Sequence, residues 1–197
     1  NNIESGATYR IRISSNNGAS YPNFGNWSTS RTYTNTLSSD GSYKIQVQSR
    51  DSLGNEGTIA TSSSYILDTT AQGVPSPYTA SPTSDRTPTW TWISIGGAVA
   101  YSLKLDGVSK GTTSSTSYTA PTLSEGNHTL QVASIDSAGN ISAFGSSNVT
   151  IDVTPPSVPV ISSTSNPTND RTPTFNWSPV SGAVLYGVKL NTNAETT

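Results

Sequence analysis

The chain has 197 residues, a formal net charge of −2 and a charged fraction of 11%, and it contains no cysteine and no methionine. The absence of cysteine excludes disulfide scaffolds and thiolate metal sites, and the absence of a basic run argues against a nucleic-acid partner. No apolar stretch approaches the ~20 residues that a membrane span needs, so we expect no membrane insertion in this segment.

Four short blocks of sequence recur at a spacing of about 85 residues, the last pair below with a slip of one residue. Asp51–Asn55 recurs as Asp136–Asn140, and Asp85–Trp92 recurs as Asp170–Trp177. Ala98–Leu105 recurs as Ala183–Leu190, and Asp68–Ala71 recurs as Asp152–Pro156. We therefore predict three units. The first unit (residues 1–70) lacks its first strands, the middle unit (71–155) is complete, and the third unit (156–197) holds only first strands.

Apolar residues alternate with a period of two along the middle unit, as expected for strands with one buried face. In chain order these positions are Trp90 and Trp92, then Tyr101, Leu103 and Leu105, then Leu130 and Val132, and finally Val149 and Ile151. Gly- and Asn-containing turns separate the runs. About seven short strands in a unit of this length are typical of an all-β sandwich.

Two stretches carry a resemblance to known proteins. The run Leu37–Asn55, with Gly41-Ser-Tyr43-Lys-Ile-Gln-Val47 inside it, resembles the penultimate strand and following hairpin of fibronectin type III-like and bacterial Ig-like domains. The segments Asp152–Pro156 and Asn169–Thr174 resemble the linkers of tandem bacterial Ig-like repeats in large surface adhesins. The resemblance implies tandem Ig-like or fibronectin type III-like β-sandwiches of about 85 residues each, located outside the cell or on its surface.

The same resemblance implies a tyrosine corner at Tyr43, whose hydroxyl would bond to the backbone near the preceding turn. The counterpart of Tyr43 in the middle unit is His128, the single histidine of the chain. With no second histidine and no cysteine, His128 lacks the partners of a metal or cysteine–histidine site. We therefore assign His128 a structural role, and we predict no catalytic residue and no enzymatic activity.

Asp136 and Asn140 bracket a tight hairpin. Turn chemistry explains these residues, because Asp accepts backbone N–H groups and Asn tolerates positive φ. The alternative is calcium, which binds carboxylate, amide and carbonyl oxygens. In an Ig-like sandwich this hairpin lies at the N-terminal pole, so Asp136 and Asn140 would face Asp68. The opposite pole would bring Asp85 near Asp152. Both groupings are candidate interdomain calcium sites, and we expect no other cofactor.

An insertion of about seven residues within Ser14–Arg31 breaks the repeat of the first unit. It contains Tyr21, Phe24 and Trp27 among Asn and Gly residues. Exposed aromatic rings beside amides could stack on sugars or contact a neighbouring protein. The alternative is structural, with Trp27 folding back over the edge of the sandwich.

The sequence thus favours a non-catalytic structural or interaction region of a bacterial surface protein or fibre, serving as a stalk or in adhesion. Its partners would be neighbouring repeats, copies of itself, or a glycan or other ligand on a host or cell surface. If the chain is complete, the third unit of one copy could supply the strands that the first unit of another lacks, giving head-to-tail assembly by strand complementation. Alternatively, the units are accessory carbohydrate-binding or spacer modules of a secreted polysaccharide-degrading enzyme, or part of a phage or appendage.

Overall fold

The protein is all-β. The computed structural model describes residues 6–162 and 169–189, and every regular element in these residues is a strand. The strands are β1 (Thr8–Ser14), β2 (Gly41–Arg50), β3 (Ala60–Thr61), β4 (Tyr65–Leu67), β5 (Thr89–Thr91), β6 (Ala98–Leu105), β7 (Val108–Thr113), β8 (Ser117–Thr119), β9 (Gly126–Asp136) and β10 (Gly145–Ile151).

The first unit is built on one antiparallel sheet. Strand β1 pairs with β2 along its whole length, and β3 and β4 both pair with β2. The register places Ile11 opposite Val47 and Arg10 opposite Gln48. Because successive side chains point to opposite faces, one face of this pair is apolar and the other carries arginine and glutamine.

The middle unit is a sandwich of two sheets. The larger sheet has the order β10-β9-β6-β7, and the smaller one pairs β5 with β8. All of the alternating apolar positions predicted from the sequence are buried, so that prediction is confirmed. The core consists of Trp90, Trp92, Tyr101, Leu103, Leu105, Ala120, Leu123, Leu130, Val132, Val149 and Ile151.

The middle unit contains six strands, one fewer than the number predicted. The opening segment forms only isolated bridges, from Tyr78 to Thr91 and from Thr83 to Ile151. Its earlier part instead packs across the larger sheet. A Cβ added at Gly145 would clash with the carbonyl oxygen of Pro75. The opening segment is therefore held by close backbone packing rather than by a continuous ladder.

A tryptophan–tyrosine contact occurs at two places 85 residues apart. The rings of Trp92 and Tyr101 are 5.4 Å apart, edge to face, and those of Trp177 and Tyr186 are 5.6 Å apart. Each tyrosine hydroxyl also accepts a hydrogen bond from the backbone N–H six residues earlier, at 3.0 Å in the middle unit and 2.8 Å in the third.

The described part of the third unit differs from the middle unit in its secondary structure. One bridge, between Ile161 and Trp177, replaces regular strands in residues 156–162 and 169–189. Strand β6 of the middle unit has partners on both edges, β7 and β9, whereas the corresponding residues 183–189 have no strand beside them in the described chain. Leu190, the end of the predicted block, lies outside the described residues.

We expect Trp90→Ala to lower the free energy of unfolding of the middle unit by about 3–5 kcal/mol, because it removes a large, fully buried side chain. Phe175→Ala is the matched control, because Phe175 occupies the equivalent position in the third unit and is 47% exposed. Urea denaturation of both variants measures the difference. Equal destabilisation by the two substitutions would contradict the assignment of Trp90 as the core anchor.

Candidate functional site

The hairpin from Asp136 to Asn140 is closed by the Asp136 carboxylate. Its Oδ1 accepts hydrogen bonds from the backbone N–H groups of Ala138 and Asn140, both at 2.9 Å, and its Oδ2 accepts one from Asn140 Nδ2 at 3.0 Å. The Asn140 side chain and these N–H groups lower the pKa of Asp136. Asp51 and Asn55 form the same arrangement in the first unit.

The structure brings Asp136, Asn140 and Asp68 together, as the topology predicted. Asn140 Nδ2 donates to the backbone oxygen of Asp68 at 3.1 Å and lies 3.5 Å from its Oδ1. At the opposite pole, the backbone N–H of Asp152 donates to the carbonyl of Thr83, two residues before Asp85. The carboxylates of Asp85 and Asp152 each accept a hydrogen bond from the backbone two residues further on.

No group of three or more His, Asp or Glu side chains is arranged to hold a metal ion in residues 6–162 and 169–189. The hydrogen bonds above account for the Asp136 carboxylate as turn chemistry. Calcium at Asp68, Asp136 and Asn140, or at Asp85 and Asp152, stays a prediction.

A set of hydrogen bonds not predicted from the sequence ties each linker to the unit before it. Asp40 accepts bonds from the hydroxyls of Thr69 and Thr70, each at 2.7 Å, and from the Thr69 backbone N–H at 2.9 Å. These bonds, the one from the Thr70 hydroxyl foremost, lower the pKa of Asp40. At the next junction the hydroxyl of Thr154 donates to Glu125. The signal was present in the sequence, since Asp40-Gly41 recurs 85 residues later as Glu125-Gly126.

The insertion of the first unit lies along the edge of β1. The backbone N–H of Ser28 donates to the carbonyl of Tyr9 at 2.8 Å, and that of Tyr9 donates to Ser28 at 2.7 Å. Gly25 donates to the carbonyl of Ile11 at 3.0 Å. The insertion therefore folds back onto the sheet, and Trp27 is half-buried, as the structural alternative described.

The three aromatic rings of the insertion lie on arginines of the polar face of β1 and β2. We call the set the arginine–aromatic ladder, which runs in the order Tyr21, Arg12, Phe24, Arg10, Trp27, Arg50. Arg10 Cζ is 4.7 Å from the Phe24 centroid and 4.6 Å from that of Trp27. Arg50 Cζ is 4.4 Å from the Trp27 centroid.

Phe24 and Trp27 each contact two guanidinium groups, whereas Tyr21 contacts one. These contacts reduce the ring surface on which a sugar could stack at Phe24 and Trp27. Ligand contact at Tyr21, Phe24 and Trp27 stays a prediction. The role of the arginines could not be read from the sequence, because it depends on the insertion folding back along β1.

His128 takes the place of Tyr43 in contacts as well as in position. The Tyr43 hydroxyl donates to the backbone oxygen of Ser39 at 2.5 Å, and His128 Nε2 lies 3.1 Å from the backbone oxygen of Ser124. Each contact spans four residues. His128 Nδ1 also lies 2.7 Å from Asp106 Oδ2, and this hydrogen bond raises the pKa of His128 above its ordinary value.

We expect the proton NMR titration of His128 to give a pKa above 6.5, and Asp106→Asn to bring it back towards that value. A raised folded-state pKa stabilises the fold fully below the unfolded-state value, and this contribution is lost as the pH rises through the folded-state pKa. The difference in urea midpoint between the wild type and His128→Tyr should therefore be largest below the ordinary histidine pKa and shrink as the pH rises through the raised folded-state pKa of His128. A pKa at or below the ordinary value would contradict the ion pair.

Several solved structures are similar to the chain. Fibronectin(III)-like modules of Clostridium thermocellum CbhA match at 17% identity and a TM-score of 0.45, covering 77% of this chain and 81% of that one. The FN1–FN3 domains of chicken CNTN1 match at 12% identity and a TM-score of 0.40, covering 74% of this chain and 56% of that one. The central fibronectin-III array of RIM-binding protein matches at 12% identity and a TM-score of 0.33, with 86% and 66% covered.

No protein-family model and no curated protein matches the chain. In the part of the chain that the structure describes, no helix has the length and apolar character to cross a membrane. All three TM-scores are below 0.5, and the assignment of an all-β sandwich therefore comes from the strand order and the core of the middle unit.

Proposed function

We propose that the chain is a non-catalytic structural and interaction segment of a bacterial extracellular surface protein or fibre. In this proposal, sandwich units follow one another as a stalk and contact neighbouring units or further copies. The observation that supports it is a pair of apolar grooves within the described residues, one on the first unit and one on the third, each built from residues whose counterparts form the core of the middle unit.

The groove of the first unit lies on the apolar face of β1 and β2. It has a volume of about 340 Å³ and is lined by the half-buried Tyr9, Ile11, Ile45 and Val47 together with Ser30, Arg31 and Tyr33. In the middle unit the strand equivalent to β1 is β6, and its apolar residues are buried under Trp90 and Trp92. The first unit therefore presents the surface that tryptophan-bearing strands cover elsewhere in the same chain.

The third unit presents the complementary surface, on the residues equivalent to the core tryptophans of the middle unit. Phe175 and Trp177 stand where the middle unit has Trp90 and Trp92, and they line a groove of about 370 Å³ with Ile161. In the middle unit these positions face a four-stranded sheet. A further repeat in the same polypeptide, or the first unit of another copy, offers the apolar surface that fits this groove.

The junctions support a stiff arrangement of successive units. Asp40 accepts hydrogen bonds from Thr69 and Thr70 of the linker that follows the first unit, and Glu125 accepts one from Thr154 of the linker that follows the middle unit. Asn140 of the middle unit donates to Asp68, at the start of the linker that precedes that unit. Prolines at positions 155 and 156 restrict the next linker further. These contacts limit bending between units, which is the property that a stalk requires.

The accessory-module alternative is supported by the insertion alone, since a carbohydrate-binding module needs a surface that a plain spacer lacks. Binding of a neutral oligosaccharide that is lost in Trp27→Ala would favour it. A wild-type chain that binds no neutral oligosaccharide would count against it.

A chimera tests whether the two open faces fit each other. The chimera joins residues 156–182 of the third unit directly to residues 6–70 of the first unit. The join keeps the register of the repeat, because Gly182 is equivalent to Gly97 and Gly6 is equivalent to Ala98, which are consecutive in the middle unit. We expect this single unit to unfold cooperatively in urea and to protect the amides of Ile11 and Val47 from hydrogen exchange, because the opening strands would bury the apolar face.

The matched control is the same chimera with Trp177→Asp, which puts a charge where the core should form. Cooperative unfolding of the chimera and its loss in the control would support the proposal. A chimera that stays unfolded, while the middle unit of the full chain folds, would contradict it.

A further inference from the structure

We propose that the arginine–aromatic ladder of the first unit binds an extended acidic polysaccharide through carboxylate groups spaced along the sugar chain. This site is separate from the apolar faces on which the proposed function depends. The inference starts from the individual arginines of the ladder. The first unit as a whole balances five cations with five anions, so a free positive charge arises where an arginine of the ladder has no carboxylate beside it.

One of the three arginines of the ladder, Arg10, is neutralised by a carboxylate, that of Glu56. Arg10 donates to Gln48 at 2.7 Å and 3.0 Å and pairs with Glu56 at 2.8 Å. Arg12 donates through Nε to Gln46 at 2.8 Å. Within residues 6–162 and 169–189, the Arg50 guanidinium makes no hydrogen bond or ion pair, and it stacks on the ring of Trp27.

Stacking leaves the edges of these guanidinium groups as the surface that a ligand can reach. A guanidinium on an aromatic face keeps its in-plane N–H groups free to form two parallel hydrogen bonds with a carboxylate. Phe24 and Trp27 already stack on two guanidinium groups each, which disfavours a neutral sugar or a nucleic-acid base that binds by stacking on these two rings. The geometry therefore favours an anion.

The ladder is also held in place before any ligand arrives. Gln46 Nε2 donates to Thr61 Oγ1 at 3.1 Å, and Gln48 Nε2 donates to the carbonyl of Gly57 at 2.9 Å. The two glutamine oxygens are thereby aimed at Arg12 and Arg10. Side chains already fixed by such contacts lose less conformational entropy on binding.

The spacing of the two available arginines selects an elongated ligand. Arg12 lies opposite Gln46, and Arg50 is four residues further along β2, a separation of roughly 14 Å along the strand. A single small anion cannot reach both, but two carboxylates of one polymer can. The exposed amides of Asn23 and Asn26 flank the rings, and amides of this kind hydrogen-bond sugar hydroxyls, which an acidic peptide lacks.

The test is calorimetric titration of the full chain with an oligogalacturonate long enough to span both arginines. A neutral galactan oligosaccharide and a polyglutamate of similar length are titrated in parallel. We expect saturable binding of the oligogalacturonate that weakens as NaCl is raised, no binding of the neutral sugar, and weaker binding of polyglutamate. The double variant Arg12→Gln/Arg50→Gln should bind at least ten-fold more weakly.

Two controls separate recognition from folding. Arg86→Gln/Lys110→Gln removes the same charge from the middle unit and should leave the affinity unchanged. Arg50→Lys keeps the charge but loses the two-pronged geometry, and it should bind with intermediate affinity. No saturable binding by the wild type, equal binding by the Arg12/Arg50 variant when it is folded, or tighter binding of polyglutamate would each overturn the inference. None of these outcomes bears on the chimera experiment.

Discussion

The packing of tryptophan-bearing strands against one apolar sheet face is the interaction on which the rest of the structure depends. In the middle unit, Trp90 is fully buried against the larger sheet. Its indole N–H and that of Trp92 are buried without a hydrogen-bond partner in the described residues, so both rings stabilise the unit through apolar contact alone. A charged fraction of 11% and a modest apolar content leave few other sources of stability. Around Phe175, where this contact is missing, the described backbone forms no regular strand, whereas the first unit keeps β1 and β2 through their own pairing.

The sequence predicted the parts of the fold that follow from side-chain alternation. Leu103, Leu130 and Val149 are buried because each lies on the inward side of a strand, and a period of two is visible in any single sequence. The corner at Tyr43 and the position of Asn140 beside Asp68 followed from the topology that the resemblance implied. The opening segment was predicted less well, because Pro75 and its neighbours pack through the backbone and show no alternation.

The candidate site was harder to predict for a different reason. The sequence indicated Tyr21, Phe24 and Trp27 as the unusual residues, but their environment depends on where the insertion turns back. Only the register of β1 with β2 shows that three arginines from two strands line up beneath the rings. The contacts of Asp40 with the linker were missed similarly, since the partners are 29 and 30 residues apart.

The hydrogen bonds at the junctions have a mechanical consequence. A pulling force applied along the polypeptide loads the linker at Asp68–Thr70 and the sheets equally, but a few exposed side-chain hydrogen bonds hold the linker whereas strand ladders hold the sheets. The exposed bonds from Thr69 and Thr70 to Asp40 and the bond from Asn140 to Asp68 would then break first. The core around Trp90 would remain intact, and the bonds would re-form when the load is removed. A chain built in this way would lengthen slightly under tension and recover without unfolding.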